Sequence, residues 1–151
     1  MTFKARYNQY RNRQAKDWWT ITFGDPMSWV LLAIIGKWKW VTPNGLTILS
    51  FLARFIPAYL IITGERSNLI AAAIILQAGQ VLDSMDGNLS RSRQSASWYG
   101  GFLDRFLDAI GLILITSSLA WYAYLQGSAP YYLILGPAAA AGYYLLTYMY
   151  W

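Results

Sequence analysis

A chain of 151 residues with 56% hydrophobic and 17% aromatic side chains is about one domain in length and too apolar for an ordinary soluble surface, so a polytopic membrane protein is the class its composition favours. Cysteine and histidine are both absent, which excludes disulfides, thiolate catalysis, Ser-His-Asp triads and the imidazole ligands of zinc, copper and iron sites. The net charge of +5 does not point to nucleic acid, because Lys and Arg cluster at the ends of apolar segments, where they meet anionic headgroups and set topology.

Residues 1–26 are basic and aromatic and lack the apolar core of a signal peptide, which predicts a cytosolic N-terminus. The run "MSWVLLAIIGKWKW" is too short before Lys37 to span a bilayer, and its Trp and Lys content suits a helix lying in the interface. Four apolar segments follow, at about 42–63, 68–91, 98–125 and 129 to the last residue. The first opens with Pro43 and can kink at Pro57. Trp18, Trp19, Trp38 and Trp40 read as an interfacial belt.

Seven of the twelve basic residues, Lys4, Arg6, Arg11, Arg13, Lys16, Lys37 and Lys39, precede the first span. Arg91, Arg93 and Arg105 surround the turn between the second and third, and only Arg66 lies in the opposite loops. The positive-inside rule therefore places the N-terminus and the 92–97 loop in the cytosol. The expected organisation is a cytosolic N-terminus with an interfacial helix over 1–41 and a transmembrane catalytic bundle over 42–151.

Of the seven acidic residues, four fall in one window: Asp83, Asp86, Asp104 and Asp108. Positions 83, 86, 87 and 90 share one helical face, and 100, 104 and 108 share another. Antiparallel neighbours joined by a short loop would bring the two carboxylate pairs to one depth, with Gly87 and Gly100 on the same faces allowing close approach to the backbone. Carboxylates converging near hydrocarbon repel one another unless paired or metal-bound. A pair of hard divalent ions, Mg2+ or Mn2+, would answer both costs and form a clamp for displacement at phosphorus. The same four residues could instead pair with Arg91, Arg93 and Arg105, or line a path in a small cation or proton transporter.

Asp83, Asp86-Gly87, Ser90-Arg91, Gly100, Asp104 and Asp108 follow D-x2-D-G-x2-A-R-x8-G-x3-D-x3-D at seven of eight fixed positions. The chain thereby resembles the CDP-alcohol phosphotransferase (CDP-alcohol phosphatidyltransferase) family, with Ser90 in place of the motif's Ala as the one departure. "TPNGLT" at 42–47 resembles the PN-x-x-T opening of that family's first membrane helix. The resemblance covers roughly residues 25–150 and implies an all-α integral membrane fold with a preceding interfacial helix. The family fold has six membrane helices and this sequence supplies four, so the resemblance implies a shortened chain.

It also implies roles. Asp83, Asp86 and Asp104 would hold two metal ions against the CDP diphosphate. Asp108 would share the second ion and act as general base toward the acceptor hydroxyl. Gly87, Ser90, Arg91 and Gly100 would surround the nucleotide, with Asn44 and Thr47 at its border. CMP would leave from a CDP-alcohol such as CDP-diacylglycerol, and an alcohol would accept the phosphatidyl group; a homodimer in the cell membrane with the site facing the cytosol is expected. An inactive nucleotide-binding relative is the other reading that the resemblance allows. Outside the motif, Arg54 lies mid-span, where an Arg faces the bundle interior; it would meet an acceptor or lipid phosphate, or pair with a motif Asp. Arg93 and Arg105 would either bind phosphate or anchor the cytosolic face.

Overall fold

The computed structural model describes residues 2–11, 18–127 and 129–149. The last two residues of the expected fourth span, and Arg13 and Lys16 of the N-terminal basic set, lie outside the described residues. Among the described residues all regular structure is helical: α1 (Phe3–Tyr10), a π-helical turn (Thr20–Gly24), α2 (Asp25–Ile35), α3 (Pro43–Ala53), α4 (Phe55–Ile62), α5 (Arg66–Ser92), α6 (Trp98–Leu125) and α7 (Tyr132–Met149). By length and apolarity three stretches can cross a membrane: Pro43–Ile62, Arg66–Ser92 and Trp98–Leu125. The fourth expected span is present as α7, but its described apolar stretch, Tyr132–Thr147, is shorter than the other three.

Local chemistry explains the boundaries. The α3 helix starts where the Thr42 hydroxyl accepts a bond from the Gly45 N–H at 3.1 Å, with Pro43 as its first residue. α3 gives way to α4 at Arg54, whose N–H bonds the Phe51 carbonyl at 3.0 Å in a tightened turn. Pro57 is the cause: it offers no N–H to the Ala53 carbonyl and crowds it, so the helix breaks one turn before the proline. α6 starts at the Ser97 hydroxyl, which accepts from the Gly100 N–H at 3.0 Å. The exposed Trp98, Phe102, Phe106 and Ile110 form one i, i+4 stripe along α6, on a different face from Gly100, Asp104 and Asp108.

The chain divides into two compact units, Met1–Ser50 with Gln77–Asp104, and Phe51–Leu76 with Arg105–Trp151. The first has a true side-chain core, in which Tyr10, Trp29, Leu32, Val41, Leu46, Met85 and Leu89 are buried together and Tyr7 meets Trp29 edge to face, ring centroids 5.9 Å apart. That core fastens α1 and α2 to the end of α5. The interfacial helix expected before the first span is α2, and its Val30, Leu31 and Ile34 are exposed. The second unit packs through small residues, including Ala58, Ala72, Ser118, Ala120 and Ala140. At Gly136 a side chain would meet Ala120 and the Thr116 carbonyl at 2.6 Å, the close backbone approach that membrane helices use in place of a bulky core.

Candidate active site

Apart from Asp108, the motif lies in the first unit. Asn44, Thr47, Asp86, Gly87, Ser90, Arg91, Gly100 and Asp104 line one cavity of about 490 Å³, completed by the 95–97 turn and the start of α3. Each reaches it for a local reason. α3 begins at Thr42, which sets Asn44 and Thr47 one turn apart on its first face. The Thr47 hydroxyl donates to the buried Asp86 carboxylate and lies 3.1 Å from the Pro43 carbonyl. The Asn44 Oδ1 stands 3.2 Å from where a Gly100 Cβ would be, so α3 and α6 approach each other through that glycine. "TPNGLT" and the aspartate motif, 36 residues apart from Thr47 to Asp83, therefore form one site.

Ser90, the departure from the motif, donates its hydroxyl to the Gly87 carbonyl at 3.0 Å. Its polar atom is satisfied within its own helix, so it behaves locally as the small residue that the position calls for. The Arg91 guanidinium lies over Gly87, whose Cβ would come 3.1 Å from Nη1. It is held by a chain of buried bonds that the sequence did not disclose. Arg91 Nη2 donates to Asn88 Oδ1 at 2.9 Å, and Asn88 Nδ2 donates to Asp25 Oδ1 at 2.9 Å and Ser28 Oγ at 2.8 Å. The Ser28 hydroxyl closes the network on the Asp25 carbonyl at 2.8 Å. Asp25, Ser28 and Asn88 are 4%, 0% and 1% exposed, so three polar side chains are sunk into the core between α2 and α5 to steady one cavity residue. The available signal was Asn88 between the apolar Met85 and Leu89, together with an acid opening an apolar helix.

Asp83 and Asp104, one from α5 and one from α6, bring carboxylate oxygens within 4.8 Å of each other. Hard oxygen donors at that separation suit a divalent cation of the magnesium type, and without a cation their charges repel. Asp108 follows Asp104 by one turn of α6. It belongs to the second unit, where Arg54 Nη2 donates to its Oδ1 at 2.5 Å while Arg54 Nη1 donates to the Leu107 carbonyl at 3.3 Å. Gly111 is buried against the Arg54 side chain, and any larger residue there would occupy the space of the guanidinium. Of the two partners considered for Arg54, the structure pairs it with a motif aspartate.

Arg93 does not line the motif cavity. Its Nη1 donates to the Val41 carbonyl at 2.6 Å, and its Nη2 to the Gly36 and Trp38 carbonyls at 2.7 and 3.1 Å. It is a clamp on the turn between α2 and α3, satisfying the Gly36 carbonyl that the end of α2 leaves open and two carbonyls of the turn itself. Arg105 is exposed on α6.

A family profile described as CDP-alcohol phosphatidyltransferase matches residues 40–150. An archaetidylinositol phosphate synthase of Pyrococcus horikoshii is 41% identical over 70 residues, 46% of this chain. A bifunctional IPC transferase and DIPP synthase of Thermococcus kodakarensis is 32% identical over 108 residues, 72% of this chain. The aligned part spans 36% of the length of the first relative and 23% of the second. With six of the eight motif positions lining one cavity, Asp83 and Asp108 being the exceptions, and the profile covering nearly three-quarters of its length, this chain belongs to the CDP-alcohol phosphatidyltransferase family.

Proposed function

We propose that this chain is the catalytic membrane bundle of an enzyme that moves a substituted phosphate from a CDP-alcohol, CDP-diacylglycerol or a similar CDP-activated lipid, to a polar alcohol, making a phospholipid. The observation that carries this reading is the convergence of Asn44, Thr47, Asp86, Gly87, Arg91, Gly100 and Asp104 on one cavity of about 490 Å³. The acceptor oxygen attacks the phosphorus bearing the lipid, the bond from that phosphorus to the CMP oxygen breaks, and CMP leaves. Asp108 takes the proton of the acceptor hydroxyl. Arg54 holds the Asp108 carboxylate in place from the neighbouring helix. Arg91, fixed through Asn88 and Asp25, offers positive charge to the diphosphate, and Thr47 orients Asp86.

Asp83, Asp86, Asp104 and Asp108 would hold two Mg2+ or Mn2+ ions, which when bound neutralise the diphosphate and the charge that develops on the leaving oxygen. A water-soluble nucleotide and a lipid must both reach the site, which fits an interfacial position facing the cytosol, with residues 1–41 on the cytosolic side, 42–151 as the bundle, and a homodimer as the working assembly. The name of the Pyrococcus relative makes an inositol phosphate the first acceptor to try.

The deciding assay incubates the purified protein with CDP-diacylglycerol, Mg2+ and a panel of alcohols that includes inositol phosphate, and measures CMP. Release of CMP that depends on one acceptor is the expected result. Asp108→Asn is expected to lower turnover by at least about two orders of magnitude while leaving CDP binding largely intact. No CMP with any acceptor, together with ion flux in liposomes, would replace this reading with a transporter.

A further inference from the structure

A second cavity, of about 620 Å³, lies in the same unit as the motif cavity and shares no lining residue with it. Arg6 and Gln9 of α1, Lys37 and Lys39 of the turn after α2, and Arg93 beyond α5 form its polar wall, and the buried Tyr10 closes it. Four cations of the chain's twelve are gathered here, and among the described residues no carboxylate lines the space.

We propose that this cavity binds a phosphate group, carried by an anionic lipid headgroup or by a small soluble phosphate, at a site separate from the nucleotide cavity. The proposal is independent of the transferase reading. Three observations support it.

One of the cations, Arg93, is held in place, and it fixes the backbone that carries two others. Arg93 bonds the Gly36, Trp38 and Val41 carbonyls, which folds the turn around its guanidinium and fixes Lys37 and Lys39 on either side of Trp38. Tyr10 packs so closely on the end of α2 that a Cβ at Gly36 would sit 2.5 Å from its hydroxyl, and this seats α1, with Arg6, against the same turn. Like charges confined in this way repel unless an anion joins them.

Donor capacity is also left over. Arg6 lines the cavity, and its buried Nε has no hydrogen-bond partner among the described residues, so no carboxylate among them already compensates that guanidinium. The Gly36 carbonyl at the end of α2 and the Trp38 and Val41 carbonyls of the turn, which would otherwise repel an anion, are already occupied by Arg93.

The third observation is position. The turn carries Trp38 and Trp40, stacked with centroids 5.2 Å apart and both exposed, and it follows α2, whose Val30, Leu31 and Ile34 are exposed. Such a segment rests at the headgroup level, where phosphate is most concentrated. A space of about 620 Å³ accommodates a phosphate together with a small polar substituent.

The test uses the full chain in a neutral maltoside detergent and follows intrinsic Trp fluorescence and melting temperature. It is titrated separately with inorganic phosphate, with short-chain phosphatidylglycerol and with zwitterionic phosphatidylcholine. Saturable binding of one of the anions is expected, weakened at least about tenfold in Lys37→Gln/Lys39→Gln and in Arg6→Gln, with an unchanged ligand-free melting temperature. Saturation by phosphatidylglycerol that inorganic phosphate does not displace identifies a lipid site, and saturation by inorganic phosphate identifies a soluble one. Equal binding of phosphatidylcholine, no saturable binding of either anion, or undiminished affinity in the variants overturns the proposal. If the double variant no longer melts cooperatively, Arg6→Gln and the salt dependence of wild-type binding decide, since contact with several cations must weaken steeply as salt is added.

Discussion

At the scale of single residues, the site depends on side chains whose partners lie far away in the chain. Asn88 occupies a variable position of the motif, yet it is the joint between Arg91 and the buried pair Asp25 and Ser28. Its amide serves both sides, donating to the Asp25 carboxylate and accepting from the guanidinium. Asn88→Leu keeps the volume but strands a carboxylate at 4% exposure, at a cost of roughly 1–3 kcal/mol. A lowered melting temperature is expected together with weakened CDP binding, because Arg91 loses its support. An Asn88→Leu protein that melts and binds CDP like the wild type would show that the network is dispensable. Arg54 illustrates the same dependence: nothing near residue 54 announces Asp108, and the pairing rests on Gly111 leaving room for the guanidinium.

At the scale of elements, helix positions were legible because their causes are local. The expected spans at 68–91 and 98–125 correspond to α5 at Arg66–Ser92 and α6 at Trp98–Leu125. Periodicity, the Thr42 and Ser97 caps and the Pro57 break are all readable within a few residues of the boundary they set. The turn between α5 and α6 was less legible. α5 ends with Ser95 N–H bonded to the Ser90 carbonyl at 2.9 Å and Gln94 N–H to the Arg91 carbonyl at 3.1 Å, with Gln94 at φ 53°. This closing pattern usually takes glycine, and a residue with a Cβ pays for the left-handed conformation. Gln94→Gly is expected to stabilise the turn by about 0.5–1 kcal/mol and raise the melting temperature, while Gln94→Val lowers it. A glycine variant that melts earlier would mean that the Gln94 side chain contributes more than its backbone costs.

At the scale of the whole molecule, the acidic residues belong to different helices, so a bound cation must act on the fold as well as on chemistry. A ligand that binds only the folded protein stabilises it in proportion to the logarithm of its concentration, about 2.7 kcal/mol at a hundred times its dissociation constant. Adding Mg2+ to chelator-treated protein should therefore raise the melting temperature, and Asp83→Asn or Asp104→Asn should abolish most of the rise. An unchanged shift in both variants would place the cation elsewhere. The sequence by itself determined the all-α membrane class, the extent of α5 and α6, and the spacing that puts Asp83 and Asp86 on one face of α5 and Asp104 and Asp108 on one face of α6, because composition and helical periodicity act over a few residues. Only the tertiary structure decided that Arg54 meets Asp108, that Arg93 clamps carbonyls instead of lining the motif cavity, and that Asp25 and Asn88 stand behind Arg91. Those choices depend on which side chains meet across 52 to 63 residues of chain, and a polar atom leaving water takes the partner that the packed helices bring within reach.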